Sequence, residues 1–287
     1  MRHNHNARDA LFFSLPFLLF YFAFLVFPII YGIYLSFFDW NILSAKHFIG
    51  FKNFADAFKD DKFISSLWHT TEFVLISTPA TIIAGFLMSL IVMSASKLGK
   101  TAETIFFMPY ILSITVIGTL WSWIFQGNFG ILNQLLAACG LETVGWLTDP
   151  KVAMWSISGA TVWWTAGFNM ILFTAGMKQI PDDVYEAAKL DGAGYFTVLT
   201  KITMPLLRDT SILVLILQII ASFKVFGQSY VMTGGGPYGS TRVLVQYIYE
   251  TGFSYFRMGY ASAMSILLFL IILLISVFQL LATKGEK

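Results

Sequence analysis

The chain has 287 residues, of which 57% are hydrophobic and only 12% charged, with 29 Phe and 8 Trp. Soluble domains carry about a quarter charged residues, so this composition excludes an ordinary water-soluble fold and points to a lipid bilayer as solvent. A net charge of +2 with scattered basic residues is too small to argue for nucleic acid, and no polyanion partner is implied. The lone Cys139 excludes internal disulfides and any multi-cysteine metal site, and reads as a small loop residue.

Taken in chain order, gaps between charged residues mark the spans, because a hydrocarbon core about 30 Å thick takes roughly 20 residues of helix. Residues 1–10 form a tail, and the uncharged run from Ala10 to Phe38 predicts a first transmembrane helix over 11–38. That run exceeds the ~7–15 apolar residues of a signal peptide, so it reads as a retained helix, with kinks at Pro16 and Pro28. Residues 39–69 hold Lys46, Lys52, Lys59 and Lys62 beside Asp39, Asp56, Asp60 and Asp61, and predict an extracytoplasmic loop. A five-helix core over 70–283 follows. Its spans lie in Phe73–Ser96, in Thr104–Leu141 (one span, then the turn Gly127-Asn128-Phe129-Gly130), in Val152–Met177, in Asp209–Met232 with Lys224 as the one interruption, and in Met258–Thr283. Residues 284–287 are a second tail. The expectation is an all-α integral membrane protein with six transmembrane helices.

Six spans place both termini on one side of the membrane. The tails and the second and fourth connections carry Arg2, Arg8, Lys97, Lys100, Lys178, Lys189, Lys201, Arg208, Lys284 and Lys287, against 18 basic residues in all, so that side is the cytoplasm.

The connection over 178–208 is longer than two neighbouring helices need, so it must have structure of its own. Pro181 followed by Asp182 and Asp183 predicts a helix start, Val184 to Leu190 its body, and Asp191-Gly192-Ala193-Gly194 its break. A second short helix follows, with Phe196, Leu199 and Ile202 on one face, ending near Pro205. A helix this short is marginal alone and needs a partner surface. Lipid headgroups are one such surface; the alanines, the bend and the scarcity of lysine suit a groove in another protein.

The residues Glu186-Ala187-Ala188, Gly192, Ile202, Met204 and Pro205 carry a specific pattern, which resembles the EAA loop of the membrane subunits of bacterial ABC importers, with Met204 where leucine is usual. Asp191-Gly192-Ala193 is the variant typical of carbohydrate importers. Further stretches agree along nearly the whole chain: Pro28-Ile29-Ile30-Tyr31, Ser36-Phe37-Phe38-Asp39-Trp40-Asn41, Gly50-Phe51-Lys52-Asn53-Phe54, Phe106-Phe107-Met108-Pro109 and Met232-Thr233-Gly234-Gly235-Gly236-Pro237. They are similar to the first of two permeases in maltose and glycerol-phosphate type systems. The resemblance implies the type I importer permease fold in a bacterial inner membrane and a second, homologous permease in a heterodimer. It also implies an external sugar-binding protein and two cytoplasmic ATP-binding subunits, which would hold the ATP and Mg²⁺, with no cofactor on this chain. Coupling to the ATPases would rest on Glu186, Ala187, Ala188, Asp191, Gly192, Ala193, Ile202 and Pro205.

Sugar sites combine hydrogen-bonding side chains with aromatic platforms. Thr161, Trp164, Thr165 and Phe168 share one helix face, as do Gln218 and Ser222, and each stripe suits either a substrate pathway or helix packing. Lys224, the one charge deep in a span, suits either the pathway or snorkelling to the outer surface. Gly234 to Thr241 comes within one residue of a P-loop, but Ser240 stands where the phosphate-binding lysine belongs, so a Gly/Pro connection is the expectation. His3, His5, His47 and His69 show no metal-ligand spacing, and no nucleophile–His–acid set or G-x-S-x-G occurs, so the chain is not expected to be an enzyme. An ion-gradient transporter, a glycerol-phosphate importer and a non-transporting scaffold remain as alternatives. The first of these usually shows buried carboxylates and related halves, and neither is visible.

Overall fold

The computed structural model describes residues 3–94 and 97–284, without the side chains of 3–11, 97–98 and 283–284. Arg2, Arg8, Lys97, Lys284 and Lys287, which entered the orientation argument, lie outside the described side chains. The chain is mostly helical and divides into two compact units, one of residues 1–64 with 247–271, the other of 65–246 with 272–287.

In the first unit the N-terminal helix starts at His3, so the expected tail is helical, and Phe12–Leu35 forms one apolar span of 24 residues that buries only Leu35, at its end. Pro28 does not break this helix. Proline has no N–H to donate, and the ladder ahead of it adjusts through a π-helical turn over Phe22–Val26, in which Phe27 N–H reaches Phe22 O. An all-α fold is corrected by a small antiparallel hairpin, Phe38–Asp39 with His47–Phe48. The hairpin is tied down by the buried Asn53, whose Nδ2 donates to Ser36 O and Phe38 O at 2.9 Å each. Lys46 Nζ donates to Tyr31 Oη at 2.7 Å and lies 4.6 Å from the centre of the Trp40 ring, so a cation that would otherwise be wholly solvated is held by an aromatic wall.

The expected loop 39–69 ends early. A short helix, Lys52–Ala57, and then the long helix Asp61–Met93 occupy its second half. A charge gap measures only the hydrocarbon part of a helix, and this one continues outward beyond it with Asp61, Lys62, His69 and Glu72. Asp60 sits immediately before its first turn. Its Oδ2 accepts from Tyr247 Oη at 2.6 Å and Tyr260 Oη at 2.8 Å, and its Oδ1 accepts from Lys62 N at 2.9 Å. Partial burial raises the Asp60 pKa, but these hydrogen bonds outweigh it and hold the carboxyl below its ordinary value of 3.8. Burial and the same carboxylate push the Tyr247 hydroxyl well above its usual range. A depressed carboxylate adds stability above its unfolded value and loses it as pH falls through the folded one. Asp60 is only partly buried, so solvent screening reduces the effect, and Asp60→Asn is expected to cost about 1 kcal/mol at pH 7. The gap to the native chain should close below the ordinary value of 3.8 as native Asp60 takes up its proton, read as thermal midpoints across a pH series in detergent.

The second unit is built around the 25-residue helix Ala153–Met177, with 15 of its residues buried. Among the described residues, three helices are long and apolar enough to cross a membrane, Phe12–Leu35, Asp61–Met93 and Met258–Ala282, and two bent pairs raise the number to as many as five. Ala153–Met177 is long enough but carries too much Ser, Thr, Gly, Trp and Asn to pass on hydropathy, because its neighbours are helices rather than lipid. Gly167 allows the closest of these contacts: a Cβ there would collide with the backbone carbonyl of Phe106 on the helix Lys97–Ile111.

Two expected spans are broken. The 104–141 run turns by 97° between Lys97–Ile111 and Ile114–Ile124, where Ser113 caps the new helix by accepting from Val116 N. A further helix, Ile131–Ala138, follows, with Cys139 exposed at its C-cap. The 209–232 run is two helices, Arg208–Phe223 and Gly227–Thr233, interrupted at Lys224. The break falls at the charge, since a lysine at a helix C-terminus faces the negative end of the dipole and can reach solvent. Buried Phe73, Phe125, Met154, Ile157, Val225 and Val243 form the apolar cluster under this corner.

Candidate functional site

A cavity of about 230 Å³ opens between the helices Ala153–Met177 and Arg208–Phe223, with Tyr110 from the end of Lys97–Ile111 on its wall. Six of the seven residues expected on the pathway line it: Thr161, Trp164, Thr165, Phe168, Gln218 and Ser222. The seventh, Lys224, is exposed at the C-cap of Arg208–Phe223 and is not among the lining residues. Helical spacing explains the convergence: each predicted stripe faces the other helix, and the two helices pack together.

Sequence reasoning missed Tyr110, Asn169 and Gln228. Asn169 extends the stripe by one residue beyond Phe168 and was legible as an amide in an apolar run. Tyr110 was not, because only the close packing of Lys97–Ile111 on Ala153–Met177 at Gly167 brings it to this place. Tyr110 stacks on Phe168 with centroids 5.0 Å apart and lies 6.4 Å from Trp164, which makes a continuous aromatic wall. Opposite it runs a polar ladder. Asn169 Nδ2 donates to Gln218 Oε1 at 2.9 Å, Gln218 Nε2 donates to Ser222 Oγ at 3.3 Å, and Thr78 Oγ1 donates to the same Ser222 Oγ at 3.0 Å. Each member is buried, so each amide must be paired, and pairing fixes its orientation. Thr161 and Thr165 donate their hydroxyl protons to Ile157 O and Thr161 O, both at 2.8 Å.

The loop between the same two helices has the predicted form. Pro181 precedes the helix Asp182–Leu190, whose first turn carries Asp182 and Asp183. It ends in a Schellman motif: Ala193 N–H reaches Ala188 O at 2.9 Å and Gly192 N–H reaches Lys189 O at 3.1 Å, with Asp191 as C-cap and Gly192 at φ +73°. That left-handed conformation is the reason for a glycine at 192. Of the expected coupling residues, Glu186, Ala187, Asp191 and Gly192 are exposed, Ala188 is buried against the chain and Ala193 is half-buried. Leu190 is 89% exposed, a large apolar side chain left open on a polar loop.

The second helix begins at Tyr195 and passes through a π-helical turn, Leu199–Thr203, which holds the half-buried Ile202. It continues through the exposed Pro205 and ends at Leu206. It then meets Arg208–Phe223 at 66° over the buried Leu207. Tyr185 Oη lies 3.4 Å from Thr203 Oγ1, which ties the two arms of the loop together. Met177, Ile180 and Leu207 pack beneath them.

The P-loop-like segment follows the helix Gly227–Thr233, and its Gly236 carbonyl accepts from Thr241 Oγ1 at 2.6 Å. Its backbone is turned onto its own side chains in a capped connection.

Residues 77–285 match the family model of the binding-protein-dependent transport system inner membrane component. The chain is 34% identical over 289 residues to "Probable ABC transporter permease protein YurN" of Bacillus subtilis (strain 168), covering 99% of both. It is 32% identical to the trehalose/maltose transport system permease protein MalF of Thermococcus litoralis, covering 90% of this chain and 88% of that one. Among solved structures it superposes with a TM-score of 0.87 and 25% identity on the crystal structure of a bacterial ABC transporter involved in import of the acidic polysaccharide alginate, covering 99% of this chain and 98% of the other. The chain therefore belongs to the binding-protein-dependent transport system inner membrane component family, the permease subunits of ABC importers.

Proposed function

We propose that this permease forms half of the translocation pathway for a sugar or oligosaccharide that an external binding protein delivers. The observation that carries this reading is a connection: the loop 178–208 joins the two helices that line the aromatic and amide cavity. Whatever moves the Asp182–Leu190 helix therefore tilts both walls. The cavity, about 230 Å³, is smaller than the ~300–1,000 Å³ of complete small-molecule sites, which fits a half-site closed by a second, homologous permease.

In this reading Ala153–Met177 is a span shielded from lipid, which brings the total to six with both termini in the cytoplasm of a bacterial cell. The exposed Glu186, Ala187 and Leu190 face a cleft of one of two cytoplasmic ATP-binding subunits, and those subunits hold ATP and Mg²⁺. The chain itself is not an enzyme. Closure of the ATPases would shift the docked helix, and the two states of the motor would favour two states of the spans.

Reconstitution with its partner subunits tests the reading: uptake should require both ATP and the binding protein. Uptake driven by a proton or sodium gradient alone would overturn it. Orientation has a separate check in the exposed Cys139, which should react with an impermeant maleimide from outside intact cells. Labelling only in inverted vesicles would reverse the topology.

A further inference from the structure

We infer that the hairpin following the first span is a phospholipid site, with its apolar tip seated in the interfacial layer of the membrane and a lipid phosphate held on Lys46. The site is separate from the cavity and from whatever the importer carries.

Its depth follows from the helix. The 24 residues Phe12–Leu35 are about 36 Å long against a hydrocarbon core of about 30 Å, so the last turn of the helix lies at the hydrocarbon edge. Lys46 folds back onto that turn. Its Nζ donates to Tyr31 Oη, one helical turn before Leu35, and lies 5.1 Å and 5.8 Å from the centres of the Tyr31 and Tyr34 rings. The tip is thus placed beside the end of the span rather than out in the water. The turn is also held in shape: Asn41 Oδ1 accepts from Leu43 N at 3.2 Å and Asn41 O accepts from Ser44 N at 2.9 Å. Phe38 O occupies the place of a Cβ on Gly259, so the first strand packs against the start of the helix Met258–Lys284.

What the tip exposes suits that layer. Leu43 is 86% and Phe48 71% exposed, and Ile42 is exposed as well, next to the stack of Phe27, Tyr31 and Tyr34, whose ring centres follow one another at 6.0 Å. Water offers these side chains no partner, whereas the boundary between headgroups and acyl chains takes apolar bodies and collects tyrosine and tryptophan. The ammonium supplies the polar half. Of its three N–H donors one goes to Tyr31, and among the described residues no carboxylate pairs with it, which leaves two for phosphate oxygens. The rings of Tyr31, Tyr34 and Trp40 fix the cation in place without neutralising its charge.

The test uses the complete importer in lipid nanodiscs, with the dye NBD attached to Leu43→Cys in a Cys139→Ser chain and partner subunits free of cysteine. Leu43 makes little packing contact, so the label leaves the fold intact. Nitroxide-bearing lipids should quench its emission, and aqueous iodide should not. Quenching by iodide would overturn the site, since the tip would then face water. Protection from both quenchers would overturn it too, because another subunit would then cover the tip.

Lys46 has its own readout, the thermal midpoint of the complex in detergent. Phosphatidylglycerol should raise it by a few degrees, while inorganic phosphate at the same concentration leaves it unchanged. Lys46→Gln should lose most of that rise and Lys46→Arg should keep it; the side chain is exposed, so neither variant disturbs the packing. An equal rise in Lys46→Gln would take the phosphate away from Lys46, and an equal effect of inorganic phosphate would make this a site for free anions instead of lipid.

Discussion

Glu186→Lys is expected to abolish productive attachment of the ATPase, with uptake falling at least tenfold while the chain still inserts and assembles with its partner permease. Glu186 is exposed on the Asp182–Leu190 helix, so its replacement removes nothing from the chain's own packing. Reversing a charge in a docked interface juxtaposes like with like, and truncating a buried charged contact typically costs about 2–5 kcal/mol of association, enough to lose the complex at cellular concentrations. Gly192→Val should act at the same point by another route. There is open space around Gly192, but at φ +73° a β-branched residue is strained by roughly 1–2 kcal/mol, and the Schellman cap unravels before steric contact matters. Co-purification of the ATPase with tagged permease, together with uptake, reads both variants. Retention of the motor and normal uptake in both would remove the basis for coupling through this loop.

Gln218→Leu is expected to reduce ATP-dependent uptake between about tenfold and a hundredfold, on a loss of about 1–3 kcal/mol for each buried polar partner left unmade. Gln218 is bonded on both sides, accepting from Asn169 and donating to Ser222; its removal strands the Asn169 amide, while Ser222 keeps its bond from Thr78. The single variant therefore mixes a stability cost with a transport cost, and a double variant separates them. In Asn169→Leu with Gln218→Leu both partners become apolar, so thermal stability should recover toward the native value while uptake stays as low as in the single variant. Recovery of uptake together with stability would mean that the ladder serves folding alone.

Much of this was legible in the chain itself. The loop 178–208 could be read turn by turn, because proline, paired acids, alanines and an Asp-Gly break act over a few residues, and local interactions decide them. The two cavity stripes were legible for a similar reason: a helical face is defined by spacing alone, so Thr161, Trp164, Thr165, Phe168, Gln218 and Ser222 were marked before any contact was known. Spacing does not say which way a helix turns after it ends. The 97° bend at Leu112–Ser113 is of that kind, and so is the packing of Lys97–Ile111 against Ala153–Met177 that sets Tyr110 on Phe168.

The composition by itself determined a lipid-embedded helical chain with one structured polar loop, since transfer of side chains between water and hydrocarbon depends only on their chemistry. The tertiary structure alone decided that the two marked stripes close round a single cavity, that the hydroxyls of Thr161 and Thr165 are committed to their own helix, and that Asn169 joins Gln218. Those outcomes depend on distances between atoms far apart in sequence, and such distances are fixed only when the helices settle against one another.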